Sequence, residues 1–108
     1  MNSINLGYFD GKVLHLIATK YINNTISLIL VTNNNIEYKT ITYYDRKIKF
    51  DRKDYIILNP DLTKDLKQFL IKKNVILDKV SIITTDDNKQ LELTILHPRI
   101  LKKFSWLI

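Results

Sequence analysis

The residues able to do acid–base or nucleophilic chemistry are few and scattered. The 108-residue chain has two histidines, His15 and His97, and no cysteine. Nucleophilic catalysis needs a nucleophile held beside a base, and neither histidine lies in a recognisable catalytic motif. We expect His15 to be a packed or hydrogen-bonded strand residue and His97 to end a strand. The missing cysteine excludes disulfides, thiolate zinc sites and cysteine nucleophiles.

Carboxylates and glycines add no recognisable motif for catalysis or cofactor binding. The two glutamates, Glu37 and Glu92, lie in predicted strands, and the acidic segment 86–88 is explained as the tip of a hairpin. The only glycines, Gly7 and Gly11, cannot form a Walker loop or a dinucleotide-binding glycine motif. The sequence therefore predicts a protein that needs no metal or cofactor and is not an enzyme.

Two basic segments carry interleaved aromatic residues, a pattern that can hold single-stranded nucleic acid through stacking and phosphate contacts. The charged connector 44–54 has five basic and three acidic residues, a net of two positive charges (5 − 3), whereas the C-terminal tail 97–108 is basic and has no acidic residue. The candidate contacts for nucleic acid or another partner are Tyr43, Tyr44, Arg46, Lys47, Lys49, Arg52, Lys53, Arg99, Lys102, Lys103 and Trp106. The alternative for both segments is a solvated charged face.

The net charge of +6 and the pI near 9.5 favour an acidic partner without choosing one. Nucleic acid, anionic lipid and an acidic protein would all be attracted. The longest apolar stretch is far shorter than the ~20 residues that span a bilayer, and the start lacks the pattern of a secretory signal. We therefore expect a cytoplasmic protein with no membrane partner.

Length and composition predict one domain over residues 1–108. The chain is 45% hydrophobic and 26% charged, which is inside the globular range. With only two glycines and two prolines, asparagine must make most of the turns, because Asn tolerates the left-handed conformation better than any residue except Gly.

Three β-rich segments, 13–22, 25–32 and 36–43, predict an antiparallel meander. A two-residue turn at 23–24 would mix apolar side chains onto both faces of the first hairpin. A three-residue loop over 23–25 is preferred, because it gives one continuous apolar face. That face would hold Leu14, Leu16, Ala18, Ile22, Ile26, Leu28 and Leu30.

A short strand over 55–58 is followed by a predicted amphipathic helix over 60–73. Asn59 could cap this helix, Pro60 suits the first helical position, and Asn74 can end it. The apolar stripe of the helix is Leu62, Leu66, Phe69 and Leu70.

A C-terminal hairpin is predicted with a two-residue turn at Asp87-Asn88. This register places Val80 opposite Ile95 and Ile82 opposite Leu93, and it makes one face apolar. A short helix from Pro98 to about residue 104 is expected in the tail.

The first two strands carry apolar side chains on both faces, and one helix can cover only one face. The second face is covered either by the tail and connector or by another protein, which includes a second copy of the chain.

The order of these elements resembles that of uncharacterised single-domain proteins carried by conjugative plasmids and phages. The resemblance rests on the segments 20–24, 27–28, 57–59, 69–74 and 97–98. Some such proteins are anti-CRISPR or other anti-defence inhibitors, so the resemblance implies a non-catalytic inhibitor and carries over no functional residues.

Together the patterns predict an α+β fold, with a mostly antiparallel sheet of five to six strands packed on helix 60–73. The leading functional hypothesis is an anti-CRISPR-like inhibitor from a mobile element that occupies a surface of a larger protein or nucleoprotein complex. The alternatives are a small basic nucleic-acid-binding module and a structural homo-oligomer such as a homodimer.

Overall fold

The computed structural model describes residues 3–50 and 52–105 and has an α+β fold. Seven strands and two helices follow one another in the described residues: β1 Ile4–Phe9, β2 Lys12–Lys20, β3 Ile26–Val31, β4 Glu37–Thr40, β5 Tyr55–Ile57, α1 Lys64–Lys72, β6 Ser81–Thr84, β7 Gln90–Ile95 and α2 Pro98–Lys103. The longest of these helices has nine residues, and no helix in the described residues is long and apolar enough to cross a membrane.

The strands form two antiparallel sheets, ordered β1-β2-β3-β4 and β5-β7-β6. An isolated bridge between Thr42 and Leu58 links them, so the chain after β4 pairs with the chain after β5. The α+β class is therefore confirmed. The predicted single sheet of five to six strands is corrected to two sheets with seven strands.

Strand β1 was not predicted. It pairs with β2 across a two-residue turn, in which Asp10 and Gly11 both have positive φ angles of 53° and 75°. Such turns match the twist of a hairpin, and Asp-Gly is a preferred sequence for them. Gly7, at φ 85°, lies at an irregularity in the pairing, which interrupts the alternation that would reveal a strand.

All three remaining hairpins have the same three-residue loop, with asparagine at the last position. The asparagine adopts φ 68° at Asn24, 60° at Asn35 and 63° at Asn88. In each loop the asparagine N–H donates to the carbonyl of the residue before the loop, at 2.9–3.0 Å. The N–H of the residue before the loop donates to the carbonyl of the residue after the loop, at 2.9 Å. This is a type I turn closed by a left-handed residue, so asparagine takes the place of glycine as predicted.

The loop between β2 and β3 covers 22–24 rather than 23–25. The predicted face is right, because Leu16 pairs with Leu30 and Ala18 with Leu28. Ile22 was wrongly placed on that face, since it lies in the loop and is 95% exposed.

The register predicted for the C-terminal hairpin is wrong by one residue. Asp86 belongs to the loop, so Ile82 pairs with Glu92 and Ile83 with Leu91. A slip of one residue exchanges the faces of a strand. Val80 and Ile82, predicted to be on the apolar face, are consequently 48% and 57% exposed.

Helix α1 begins at Lys64 rather than residue 60. Thr63 caps it by accepting a hydrogen bond from the Leu66 N–H at 3.2 Å, while the side chain of Asn59 accepts one from the Asp61 N–H in a separate turn. Its end is as predicted, since Asn74 adopts φ 58° and the N–H of Val75 donates to the Leu70 carbonyl at 2.9 Å. This is the pattern of a Schellman motif.

Helix α2 confirms the predicted helix in the tail. Ile100 and Phe104 are each 1% exposed and belong to the same buried cluster as Leu14 and Leu70. The described part of the tail therefore packs on the main core. The connector covers part of the opposite face of the meander, where Tyr44 stacks on Tyr21.

Candidate functional site

Both histidines make hydrogen bonds that support the fold. On β2, His15 Nε2 lies 2.6 Å from Asn33 Oδ1 in the loop before β4. His97 caps α2, because its Nδ1 accepts a hydrogen bond from the Arg99 N–H at 3.1 Å. Among residues 3–50 and 52–105, no group of three or more potential metal ligands is close enough to hold an ion.

The connector cations line a groove of about 650 Å³ against the β6–β7 hairpin. Arg46, Lys47 and Lys49 lie on its rim and are exposed. Three carboxylates, from Asp45, Asp86 and Asp87, line the same groove. Since positive and negative charges balance among the described lining residues, this groove gives a polyanion little net attraction.

Two further connector residues are exposed near the end of this segment. These are Arg52 and Lys53. Arg52 binds the Asp54 carboxylate through Nε at 3.0 Å and Nη2 at 2.5 Å. The hydrogen bond and the charge of Asp54 raise the pKa of Arg52. Its guanidinium also lies 4.8 Å from the centre of the Tyr55 ring, so the charge of Arg52 is already paired.

The two predicted stacking tyrosines already have partners within the chain. Lys89 Nζ donates to the Tyr43 hydroxyl at 3.0 Å and lies 4.7 Å from the centre of that ring. The same hydrogen bond raises the pKa of Lys89. Tyr44 stacks on Tyr21 with ring centres 4.9 Å apart. Both rings therefore already make contacts within the chain, and Tyr44 stays 37% exposed.

The tail cations lie beside two lysines at the end of α1. We call these five residues the basic surface: Lys72, Lys73, Arg99, Lys102 and Lys103. Two adjoining open grooves of about 630 and 440 Å³ cover it and share Asn5 and Arg99. None of the described residues that line these two grooves is acidic. Trp106, the remaining predicted contact, lies outside the described residues.

Backbone geometry fixes the middle of the basic surface. Arg99 Nε donates to the carbonyl of Asn74 at 3.3 Å, so the left-handed residue that ends α1 also positions the guanidinium. Lys73 crosses Phe69, with Nζ 5.9 Å from the ring centre. A Cβ on Gly7 would lie 3.6 Å from that ammonium group, an ordinary contact distance, so the requirement for glycine there comes from its φ of 85°.

Favourable interaction with the helix dipole explains only some of the cations of the basic surface. Lys72, Lys102 and Lys103 lie in last helical turns, where cations are stabilised by the negative end of the helix dipole. Arg99 lies in the first turn of α2, where the dipole disfavours a cation and no acid is present. Lys72 and Lys73 were not among the predicted contacts, because their proximity to Arg99 depends on the tertiary fold.

Comparison of the chain with protein-family models, with curated proteins and with solved structures found no match. The resemblance to plasmid and phage proteins therefore stays a prediction. The geometry of the chain itself is the basis for assigning a function.

Proposed function

We propose that this chain is a non-catalytic binding protein that holds the phosphate backbone of nucleic acid on the basic surface. The nucleic acid would be free or part of a nucleoprotein complex. One observation supports this most strongly: five cations, from α2, the last turn of α1 and its C-cap, line adjoining grooves whose described lining contains no carboxylate. The net charge of +6 adds long-range attraction to the same partner.

The contrast between the two predicted basic segments favours the tail. At the connector groove, three carboxylates offset three cations, and Arg52 is held by Asp54. At the basic surface, each cation that contacts a phosphate releases condensed counterions, which is the main source of sequence-independent affinity. We therefore assign phosphate contact to α1 and α2 rather than to the connector.

The chemistry of the contact groups suits phosphate. Arg99 presents a planar guanidinium, which can bind phosphate oxygens in pairs, and its position is set by Asn74. The exposed Lys72, Lys102 and Lys103 act as mobile point charges around it. Such a surface recognises the backbone without reading the bases. A non-catalytic role is supported by the hydrogen bonds that engage both histidines in the fold.

Fluorescence anisotropy with labelled oligonucleotides tests the proposal. For five phosphate contacts on a single strand, the slope of log K against log salt should be about −3.5, so binding should weaken roughly 100-fold between about 50 and 200 mM salt. On duplex DNA the slope should be about −4.5.

Two variants with the same change in charge locate the contact. The test variant carries Lys72→Gln, Arg99→Gln, Lys102→Gln and Lys103→Gln; the control carries Arg46→Gln, Lys47→Gln, Lys49→Gln and Lys53→Gln. The test variant should keep one contact and a single-strand slope of about −0.7, whereas the control should keep most of the wild-type slope. Equal losses in both variants would show that only net charge matters. No binding at low salt would remove the proposal.

A second candidate is the inhibitor that binds a protein partner. The observation in its favour is at the end of the meander, where Tyr8 is 76% exposed and Ile36 is 62% exposed. Tyr8 also lines a groove of about 290 Å³ with the loop residues Asn33 and Asn34. Capture of one specific protein from nuclease-treated lysate, lost on Tyr8→Ser, would favour this candidate over nucleic acid.

A further inference from the structure

Strand β6 forms an outer edge of the three-stranded sheet, since the order is β5-β7-β6. The segment 80–85 reads Val-Ser-Ile-Ile-Thr-Thr and contains no charge, proline or glycine. Two of its three apolar side chains are open to solvent, with Val80 48% and Ile82 57% exposed, and Ile83 is half-buried. The segment therefore combines high β-propensity with exposed apolar surface.

Backbone N–H and C=O groups on this edge point away from β7, where another strand can pair with them. Glu92 on β7 pairs with Ile82. The carbonyl of Glu92 accepts the Leu58 N–H at 2.9 Å, on the side of β7 that faces away from β6. Because residues in an antiparallel ladder alternate between the two sides, the N–H and C=O of Ile82 face away from β7. By the same alternation, those of Thr84 also point outward.

Natural sheet edges are usually protected by charged side chains, proline or bulges. Strand β1, the outer strand of the other sheet, has such a device in the irregular pairing at Gly7. The segment 80–85 has no charge, proline or bulge, and its protection as an edge is limited to the short length of β6, four residues. An edge of this kind is suited to pairing with another strand.

We propose that the β6 edge pairs antiparallel with β6 of a second copy of this chain. The charges that flank the segment select this occupant, because Lys79 precedes it and Asp86 and Asp87 follow it. Two copies related by a two-fold axis place the basic end of each strand beside the acidic end of the other. A parallel arrangement would bring like charges together.

The charges also select a register. With Ile83 opposite Ile83 of the second copy, Lys79 of each chain comes beside the hairpin loop 86–88 of the other, which carries Asp86 and Asp87. Asp78 is then one residue further out, towards the neutral Asn88. Shifting the axis to Ile82 would place Asp78 opposite an acidic Asp86. The selected pairing joins two three-stranded sheets into one of six strands, and it does not depend on nucleic-acid binding.

Sedimentation velocity across protein concentrations, up to the millimolar range, tests the proposal. Wild-type protein should show a monomer–dimer equilibrium. Lys79→Asp and Asp87→Lys should each weaken dimerisation about tenfold or more, since each puts like charges at both ends of the pairing. An equimolar mixture of the two variants should dimerise again, because every facing pair is then of opposite charge.

A third variant makes the test independent of the hairpin tip. Ile82→Lys puts a charge on the exposed edge and should abolish the dimer without changing the circular dichroism spectrum. The matched control is Ile22→Lys, in a loop where Ile22 is 95% exposed, and it should dimerise like wild type. A wild-type protein that stays monomeric, or Ile82→Lys protein that dimerises as wild type does, would overturn the proposal. So would a mixture of the charge variants that stays monomeric.

Discussion

Asparagine in the left-handed conformation is the feature of this fold that a set of substitutions can test most sharply. Asn24, Asn35, Asn74 and Asn88 have φ angles between 58° and 68°. For an ordinary residue with a Cβ, this conformation costs about 1–2 kcal/mol, and asparagine offsets part of that with its short polar side chain. We therefore expect each Asn→Ala substitution to lower the free energy of unfolding by about 1 kcal/mol.

Glycine at the same positions should behave differently. It removes the steric cost in the folded state, but it also raises the conformational entropy of the unfolded chain. The two effects oppose each other, so each Asn→Gly change should stay within about 0.5 kcal/mol of wild type. Asn34 is the matched control, because it lies in the same loop as Asn35 without a positive φ. Asn34→Ala should therefore be nearly neutral.

Urea unfolding measures these differences, provided that the slope of free energy against denaturant stays constant. Alanine at all four positions should cost about 4 kcal/mol, a large share of the roughly 5–15 kcal/mol typical of a domain. The melting temperature should fall by roughly 4–8 °C for each kcal/mol lost. Alanine variants as stable as the glycine variants, or an Asn34→Ala variant as unstable as Asn35→Ala, would refute the reasoning.

Two further predictions concern the hairpin tip and the tail. The Thr85 hydroxyl donates to the Asp87 carboxylate and lowers the pKa of Asp87 below its ordinary value of 3.8. The hydrogen bond to the ionised carboxylate therefore stabilises the folded state above that pH, and this contribution is lost as the pH falls through the lowered pKa. Asp87→Asn should flatten this part of an acid-unfolding profile, and an unchanged profile would contradict the assignment. Phe104→Ala should cost about 3–5 kcal/mol in urea unfolding, because Phe104 is 1% exposed within the core. A neutral effect there would show that the tail does not pack on the core.

Elements with local signals could be predicted from the sequence. Asn74 ends α1 through backbone bonds that depend only on its own neighbours, and α2 begins at Pro98 as expected. The start of α1 was misplaced, because Asn59-Pro60 forms a turn of its own and Thr63 is the cap. Asn59 and Thr63 are both good capping residues, so residue type alone does not choose between them.

Pairing register and the basic surface required longer-range information. Adding Asp86 to the loop before Asn88 moves the register by one residue and exchanges the faces. The loop 33–35 has the same form and would have indicated the correct length. The basic surface combines the end of α1 with α2, and the start of β1 lines the same grooves. These segments are far apart in sequence, so charge patterning identified the tail cations without the lysines beside them.

The central claim is that the basic surface contacts phosphate, and amide chemical-shift mapping by NMR tests it most directly. Isotope-labelled protein would be titrated with a short oligonucleotide at low salt. We predict the largest shifts at residues 72–74 and 99–103, with smaller shifts at Asn5 and little change over 45–50. Largest shifts at 45–50, or no shifts at saturating oligonucleotide, would contradict the claim.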